Sequence, residues 1–175
     1  MEEKDILEMV LAGNADAFSE IVETYQSPIL RYLYRYTGDY ESARDLSQDT
    51  FIQAYREIPR LHSLHSFKPW LYRIATNNAL QFHRRKKAIS FVTLKEEIEI
   101  ESEQNDPQVT DERITVKLAL NKIPKKLRVC LILHFMEGFK YREIAETLGI
   151  SEEAVRKRVP RGSDEFKKHY NTEGG

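Results

Sequence analysis

The sequence predicts an all-α protein: two small helical domains joined by an acidic linker, the second domain containing a helix-turn-helix. Three observations predict it. Glycine and proline are sparse, at 7 and 6 of 175 residues, and no stretch alternates apolar and polar residues as a half-buried strand does. Apolar residues recur instead at i, i+3, i+4 and i+7. Between residues 89 and 110 the helical pattern lapses, and Glu96, Glu97, Glu99, Glu101, Glu103 and Asp106 accumulate. That stretch closes on the breaker cluster Gln104-Asn105-Asp106-Pro107. The expected division is residues 1–90, an acidic linker over 91–110, and residues 111–172.

In the first domain, Phe18, Ile21, Val22 and Tyr25 lie on one helical face, with Asp16 placed to cap the N-terminus. A second helix is expected over 28–37, opened by Pro28, where a missing N–H costs little, and ended by Gly38-Asp39. A third covers 40–58, with Ala43, Leu46, Thr50, Ala54 and Ile58 along one side and Pro59 as its stop. Residues 60–66 read as a loop. A long helix then starts at Phe67 and reaches about Lys87, burying Leu71, Ile74, Ala75 and Asn78.

The second domain carries the pattern with most information. Tyr141-Arg142-Glu143-Ile144-Ala145-Glu146-Thr147-Leu148 reads as a short helix with Ile144 and Leu148 inward and Ala145 small where another helix passes. Gly149 supplies a residue tolerant of positive φ, and Ile150 fills the space between the helices. Ser151 caps the next helix, and Glu152 and Glu153 suit its positive end. Ala154, Val155 and Val159 face the first helix, which leaves Arg156 and Lys157 outward and Arg158 on the flank. Such a helix fits the DNA major groove, where Arg and Lys meet guanine edges or phosphates. Pro160 and Gly162 predict that the helix ends or kinks near Val159, with Ser163 capping a short final helix. Val159-Pro160-Arg161-Gly162-Ser163 also resembles a protease-cleavage tag.

A net charge of −1 hides segregation. Residues 60–87 hold Arg60, Lys68, Arg73, Arg84, Arg85, Lys86 and Lys87 and no acid. Phe67, Trp70 and Tyr72 interleave with these cations, a composition that suits single-stranded nucleic acid: bases stack on rings while cations hold the backbone. The single cysteine, Cys130, sits in the apolar run Val129-Cys130-Leu131-Ile132-Leu133 and reads as core. His62 and His65 form an H-x-x-H pair without a third ligand, and neither a Gly-rich phosphate loop nor a nucleophile elbow is present. No catalytic residue, metal or cofactor is expected. The charged start has no signal-peptide core, and no apolar run spans a bilayer, so a cytoplasmic protein without membrane insertion is expected.

Taken in order, these motifs resemble the extracytoplasmic-function sigma factors of bacterial RNA polymerase. Ala17-Phe18 to Tyr25 and Gly38-Asp39 look like the opening of that family's promoter-melting domain. Asp45-Leu46-Ser47-Gln48-Asp49-Thr50-Phe51-Ile52-Gln53-Ala54-Tyr55-Arg56 is similar to its most recognisable stretch. Trp70, Leu71, Ile74, Ala75 and Asn78 match the next block, and Leu120-Asn121-Lys122-Ile123-Pro124 with residues 141–161 match the second domain. The resemblance implies promoter-specific transcription initiation, without bond chemistry. Asp45, Leu46, Gln48, Asp49, Phe51, Gln53 and Arg56 would bind core RNA polymerase. Arg60, His62, Ser63 and His65 would hold a base flipped from the minus-ten element. Lys68, Trp70, Arg73, Asn77, Arg84 and Arg85 would support the melted single strand. Tyr141, Ser151, Glu152, Glu153, Arg156, Lys157, Arg158 and Arg161 would read the minus-thirty-five duplex. No inhibitory N-terminal extension is visible, so control would fall to an anti-sigma factor, and the free chain would be a monomer. The competing reading is a stand-alone helix-turn-helix regulator, which would leave residues 45–56 without a purpose.

Overall fold

The computed structural model describes residues 3–61, 67–92 and 111–173, which are helical apart from short connections. In the first half, α1 (Glu3–Leu11) packs on α2 (Ala17–Thr37), α2 on α3 (Tyr40–Glu57), and α3 on α4 (Phe67–Val92). In the second half, α5 (Asp111–Lys122) and α6 (Lys125–Leu131) both lie against α8 (Glu152–Glu173), with α7 (Tyr141–Leu148) completing the helix-turn-helix. Ile58–Arg60 form one 3₁₀ turn. Ile132–Met136 form a π-type turn, closed by Glu137 N–H donating to Ile132 O at 3.1 Å.

α1 was not anticipated, because its charges obscured a three-residue apolar face. Ile6, Leu7 and Val10 are buried, and the Tyr25 hydroxyl donates to the Glu3 carboxylate. The expected break at Pro28 does not occur either: α2 runs through it from Ala17 to Thr37. Proline there removes the bond to Thr24, whose residue is exposed and whose carbonyl water can serve. Meanwhile Phe18, Ile21, Tyr25, Ile29, Tyr32, Leu33 and Tyr36 stay buried on one uninterrupted face. Burying seven large side chains outweighs one lost backbone bond, at about 1.5–3 kcal/mol for each fully buried apolar side chain. Asp16 stands at the cap position, but its side chain makes no cap bond. Asn14 Oδ1 accepts from the backbone N–H of Asp16 and Ala17 at 3.1 and 3.3 Å.

α3 begins as expected, with Asp39 Oδ2 accepting from Ser42 N–H at 2.8 Å. Hydrogen bonding from the Ser42 side chain, assisted by its backbone N–H, holds the Asp39 carboxyl below its ordinary pKa. Gly38 closes α2 at φ +78°, which an L side chain rarely adopts. α4 is longer than expected and remains helical to Val92, two residues into the expected linker. Asn78 is half-buried, not buried, and donates to Thr50 Oγ1 at 3.5 Å. The rest of the expected linker, residues 93–110, lies outside the described residues.

The two helical units share most of their core, while Leu120, Ile123 and Leu131 form a smaller cluster within the second. Tyr32, Leu71, Tyr72 and Ala75 of the first share one buried cluster with Val129, Leu133, Phe139, Ile144 and Val155 of the second. Tyr72 packs its ring on Phe139 at 4.9 Å, and Tyr32 at 5.1 Å from Tyr72 joins its hydroxyl to Thr76 Oγ1 at 2.6 Å. Burial pushes the Tyr32 phenol pKa well above its ordinary value, so this hydroxyl stays protonated as a hydrogen-bonding group.

Candidate polymerase and nucleic-acid interfaces

α3 presents two opposite faces. Ala43, Leu46, Ser47, Thr50, Phe51 and Ala54 turn inward. Leu46 and Phe51, expected to touch polymerase, are therefore core residues that position the helix. Asp45, Gln48, Asp49 and Arg56 are exposed on the other face, while Gln53 is half-buried and donates to Glu57 at 2.9 Å. Two large apolar residues missed by the sequence reading join that face: Ile52 is 50% exposed and Tyr55 45%. Their signal was available, since 45, 48, 49, 52, 55 and 56 fall on one helical stripe. An exposed stripe of acids, amides and two large apolar side chains is suited to docking another protein.

α4 carries the acid-free cationic surface. Phe67 is fully buried and serves as core, in edge contact with Tyr25 at 5.7 Å. Trp70 is half-buried and tilted against Phe67 at 5.6 Å, so part of its ring remains accessible. Arg73, Asn77, Arg84 and Arg85 are exposed along the helix, as is Arg60 at the 3₁₀ turn. Between α3 and α4 lies an open groove of about 320 Å³ lined by Gln53, Asn77, Asn78, Leu80, Gln81 and Arg84. Amide groups both donate and accept, and a guanidinium binds phosphate, so this lining suits base edges beside a nucleic-acid backbone. Lys68 is differently placed: its ammonium donates to Glu137 O at 3.2 Å and lies 4.8 Å from the Phe139 ring. His62, Ser63 and His65 lie outside the described residues. Among the described residues no group of three or more His, Cys, Asp and Glu could hold a metal.

The helix-turn-helix is built by its caps. Lys140 N–H donates to the Glu143 carboxylate at 2.7 Å, which opens α7. Gly149 ends α7 at φ +63°, and Ser151 Oγ accepts from Ala154 N–H at 3.1 Å, opening α8. Ile144, Val155 and Val159 are buried between the helices. Arg156 and Lys157 point outward and pair along the helix with Glu152 at 2.9 Å and Glu153 at 2.8 Å. Exposed pairs of this kind are worth about 0.3–0.5 kcal/mol, so they orient the cations without withholding them from a stronger partner. Arg161 is exposed, Arg158 half-buried, and Tyr141 half-buried against His134 at 4.9 Å.

The expected end of this helix near Val159 is wrong. α8 continues through Pro160 and Gly162 to Glu173, so Ser163 lies inside it and caps nothing. Pro160 is exposed, and the carbonyl it deprives belongs to exposed Arg156. Gly162 is buried where α8 meets α6: a Cβ there would lie 2.9 Å from Leu131 Cγ and 3.3 Å from Leu127 O. The residue read as a helix breaker is the one that lets two helices approach.

Comparison with known proteins agrees with this anatomy. Residues 21–89 match the family model for Sigma-70 region 2, and residues 113–163 match that for Sigma-70 region 4. The chain is 31% identical to the ECF RNA polymerase sigma factor SigW of Bacillus subtilis, across 94% of this chain and 95% of that protein. It is 30% identical to the RNA polymerase sigma-H factor of Pseudomonas aeruginosa, across 95% and 93% respectively. Two solved structures share the fold. CnrH, in complex with the cytosolic domain of CnrY, superposes with a TM-score of 0.75 at 20% identity, covering 97% of each chain. The sigma factor RpoE of Bartonella quintana, in complex with the anti-sigma factor NepR, gives 0.73 at 22%, covering 88% of this chain and 96% of that one. No helix among the described residues is long and apolar enough to cross a membrane. With both sigma regions matched in order and a curated relative aligned over nearly its whole length, the chain belongs to the ECF RNA polymerase sigma factors.

Proposed function

We propose that the chain directs core RNA polymerase to promoters by reading two DNA elements with two surfaces. The observation that carries this reading is the pairing, in one chain, of an acid-free cationic α4 beside an amide-lined groove with a capped helix-turn-helix. Asp45, Gln48, Asp49, Ile52, Tyr55 and Arg56 form the polymerase-docking stripe, with Leu46, Phe51 and Gln53 supporting it. Trp70, Arg73, Asn77, Arg84 and Arg85, together with Arg60, His62, Ser63, His65 and Lys68, engage the melted minus-ten strand. A captured unstacked base offsets part of the melting cost, about a few kcal/mol per base. The α8 residues Ser151, Glu152, Glu153, Arg156, Lys157, Arg158 and Arg161, with Tyr141, read the minus-thirty-five duplex. Correct base-edge contacts there discriminate by about 1–3 kcal/mol each.

The working units are residues 1–90 and 111–172, joined by the acidic segment. The solved neighbours CnrH and RpoE are both held by partner proteins, CnrY and an anti-sigma factor, which supports control of this chain by an anti-sigma factor too. In the test, purified chain and bacterial core polymerase initiate on a pool of randomised promoters. Selective initiation from a two-element motif is expected, with Asp49→Ala and Ile52→Ala lowering polymerase affinity. Duplex binding without polymerase, and no initiation with it, would overturn this reading in favour of a stand-alone regulator.

A further inference from the structure

His83, Lys86 and Lys87 stand at i, i+3 and i+4 on α4 and so form one stripe. Arg73, Asn77 and Arg84, at i, i+4 and i+11, form another, turned about 100° away at 3.6 residues per turn. The first stripe therefore lies off the surface assigned to the melted strand. Lys125 and Arg128 stand at i and i+3 on α6. Tyr36, near the end of α2, joins the two helices. Its ring meets the His83 ring edge-on at 5.7 Å, and its carbonyl accepts from Arg128 Nη1 at 3.3 Å. Five basic side chains thus gather where α2, α4 and α6 meet.

Two buried groups in this cluster lack partners. A guanidinium carries five N–H donors. Arg128 Nη1 and Nη2 donate to Tyr36 O, Asn121 Oδ1, Asn121 O and Ile123 O, but Nε has no partner, although the residue is only 7% exposed. His83 Nε2 is likewise enclosed and unpaired. Unpaired buried polar atoms are rare in folded proteins. A merely solvated basic surface would leave such atoms in contact with water. The charge around them is of one sign. Partial burial, with the charges of Arg128, Lys87 and Lys86, lowers the Lys125 pKa. Burial, with Lys125, Arg128 and Lys86, lowers that of His83 to about 4. Among the described residues, none of these five side chains forms a salt bridge. The one carboxylate that feels Lys86 is Asp39, which already accepts from Ser42 N–H.

We propose that this cluster binds a terminal phosphate group carried by a small diffusible compound, a phosphate monoester or an oligophosphate. Such a group brings a charge of about −2 and three acceptor oxygens to a convergence of ammonium, guanidinium and imidazole donors. Lys86, Lys87 and Lys125 are exposed and supply charge at the mouth, while Arg128 Nε and His83 Nε2 stand at the buried end. That depth selects the source. An internal phosphodiester carries a single charge and a sugar on each side, so it fits the enclosed end less well than a terminal group. The site lies outside both DNA-reading surfaces, and its occupation does not depend on the proposed function.

The experiment uses the full chain, with pyrophosphate as the probe at constant ionic strength. Calorimetric titration should show saturable binding to one site. The His83 ring resonances, followed by NMR between pH 4 and pH 7, should titrate at higher pH when pyrophosphate is present, because an adjacent anion favours the protonated ring. Lys125→Gln and Lys87→Gln should each weaken binding about tenfold, the loss of one charge-assisted hydrogen bond. Lys4→Gln, which removes a cation from α1, should not. All three lysines are exposed, so helical circular dichroism should be unchanged. A single-stranded oligonucleotide without terminal phosphates should leave the His83 resonances in place. No saturable binding, a His83 titration unmoved by saturating pyrophosphate, or equal affinities for the Lys125→Gln and Lys4→Gln variants would overturn the site. An oligonucleotide that shifts His83 as far as pyrophosphate does would overturn the terminal-phosphate assignment and give the cluster to the nucleic-acid backbone.

Discussion

Arg128 carries a charge into the interior, and among the described residues it forms no salt bridge. It is 7% exposed, and its guanidinium donates to Tyr36 O at 3.3 Å, Asn121 O at 2.6 Å and Ile123 O at 3.1 Å. These carbonyls lie at the C-terminal ends of α2 and α5, where helix dipoles concentrate partial negative charge. Two helix ends thus do the work of a counter-ion, and they belong to different sigma regions. Burial lowers the Arg128 pKa, yet a guanidinium stays charged in proteins. Arg128→Ala should cost about 3–5 kcal/mol, because several buried carbonyls lose their donor together. Arg128→Lys should recover little, since one ammonium cannot reproduce the planar fork. Urea midpoints decide the matter: a loss under about 1 kcal/mol for Arg128→Ala would show that water serves these carbonyls equally well.

At the scale of helices, two residues of one type of sequence signal behave in opposite ways. Pro160 and Gly162 both read as breakers, yet α8 passes through both. Pro160→Ala should stabilise the protein by about 1–2 kcal/mol, because the restored backbone bond exceeds the entropy regained by the unfolded chain. Gly162→Ala should destabilise by about 1 kcal/mol: the gain in helix propensity is outweighed by displacing Leu131, whose Cγ would be 2.9 Å away. Thermal melts of the two variants should move in opposite directions, and parallel shifts would refute this account of α8. The same contrast shows how far the sequence was legible. Caps and periodic faces are local, so Ser151 and the α3 core face could be read directly. The continuity of α2 through Pro28 depends on burial against α3 and α4, and Gly162 owes its role to α6. Neither dependence is encoded within a window of neighbours. In the candidate sites, the exposed cations of α4 and α8 were legible from spacing. Leu46 and Phe51, which the motif includes, are buried, because a motif names its structural residues along with its exposed ones. The engagement of Lys68 by Glu137 joins residues far apart in sequence and could be seen only in the fold.

Across the whole molecule, the seam between the sigma regions contains a titratable group that favours closure only when neutral. His83 of α4 is half-buried, in edge contact with Tyr36 of α2 at 5.7 Å and Phe82 of its own helix at 5.7 Å. Burial, with the cations Lys125 and Arg128 of α6 and Lys86 of α4 acting in the same direction, lowers its pKa from 6.5 to about 4. The sign follows from linkage: where the seam is broken, His83 returns toward its ordinary pKa and binds protons more readily. Its contribution to the packed state is therefore complete above about pH 6.5 and is lost as the pH falls through about 4. Over that window the protonated ring would face two cations of the second unit, so the seam should weaken before the helices melt. Scattering and denaturant midpoints measured between pH 7 and pH 4 test this, with His83→Phe as the comparison. Phenylalanine keeps the ring packing and cannot titrate. Carboxylates elsewhere titrate equally in both proteins, so the difference between the two curves isolates His83. Wild type should expand and lose stability more steeply than His83→Phe below pH 6.5, whereas parallel curves across the window would remove His83 as the group responsible.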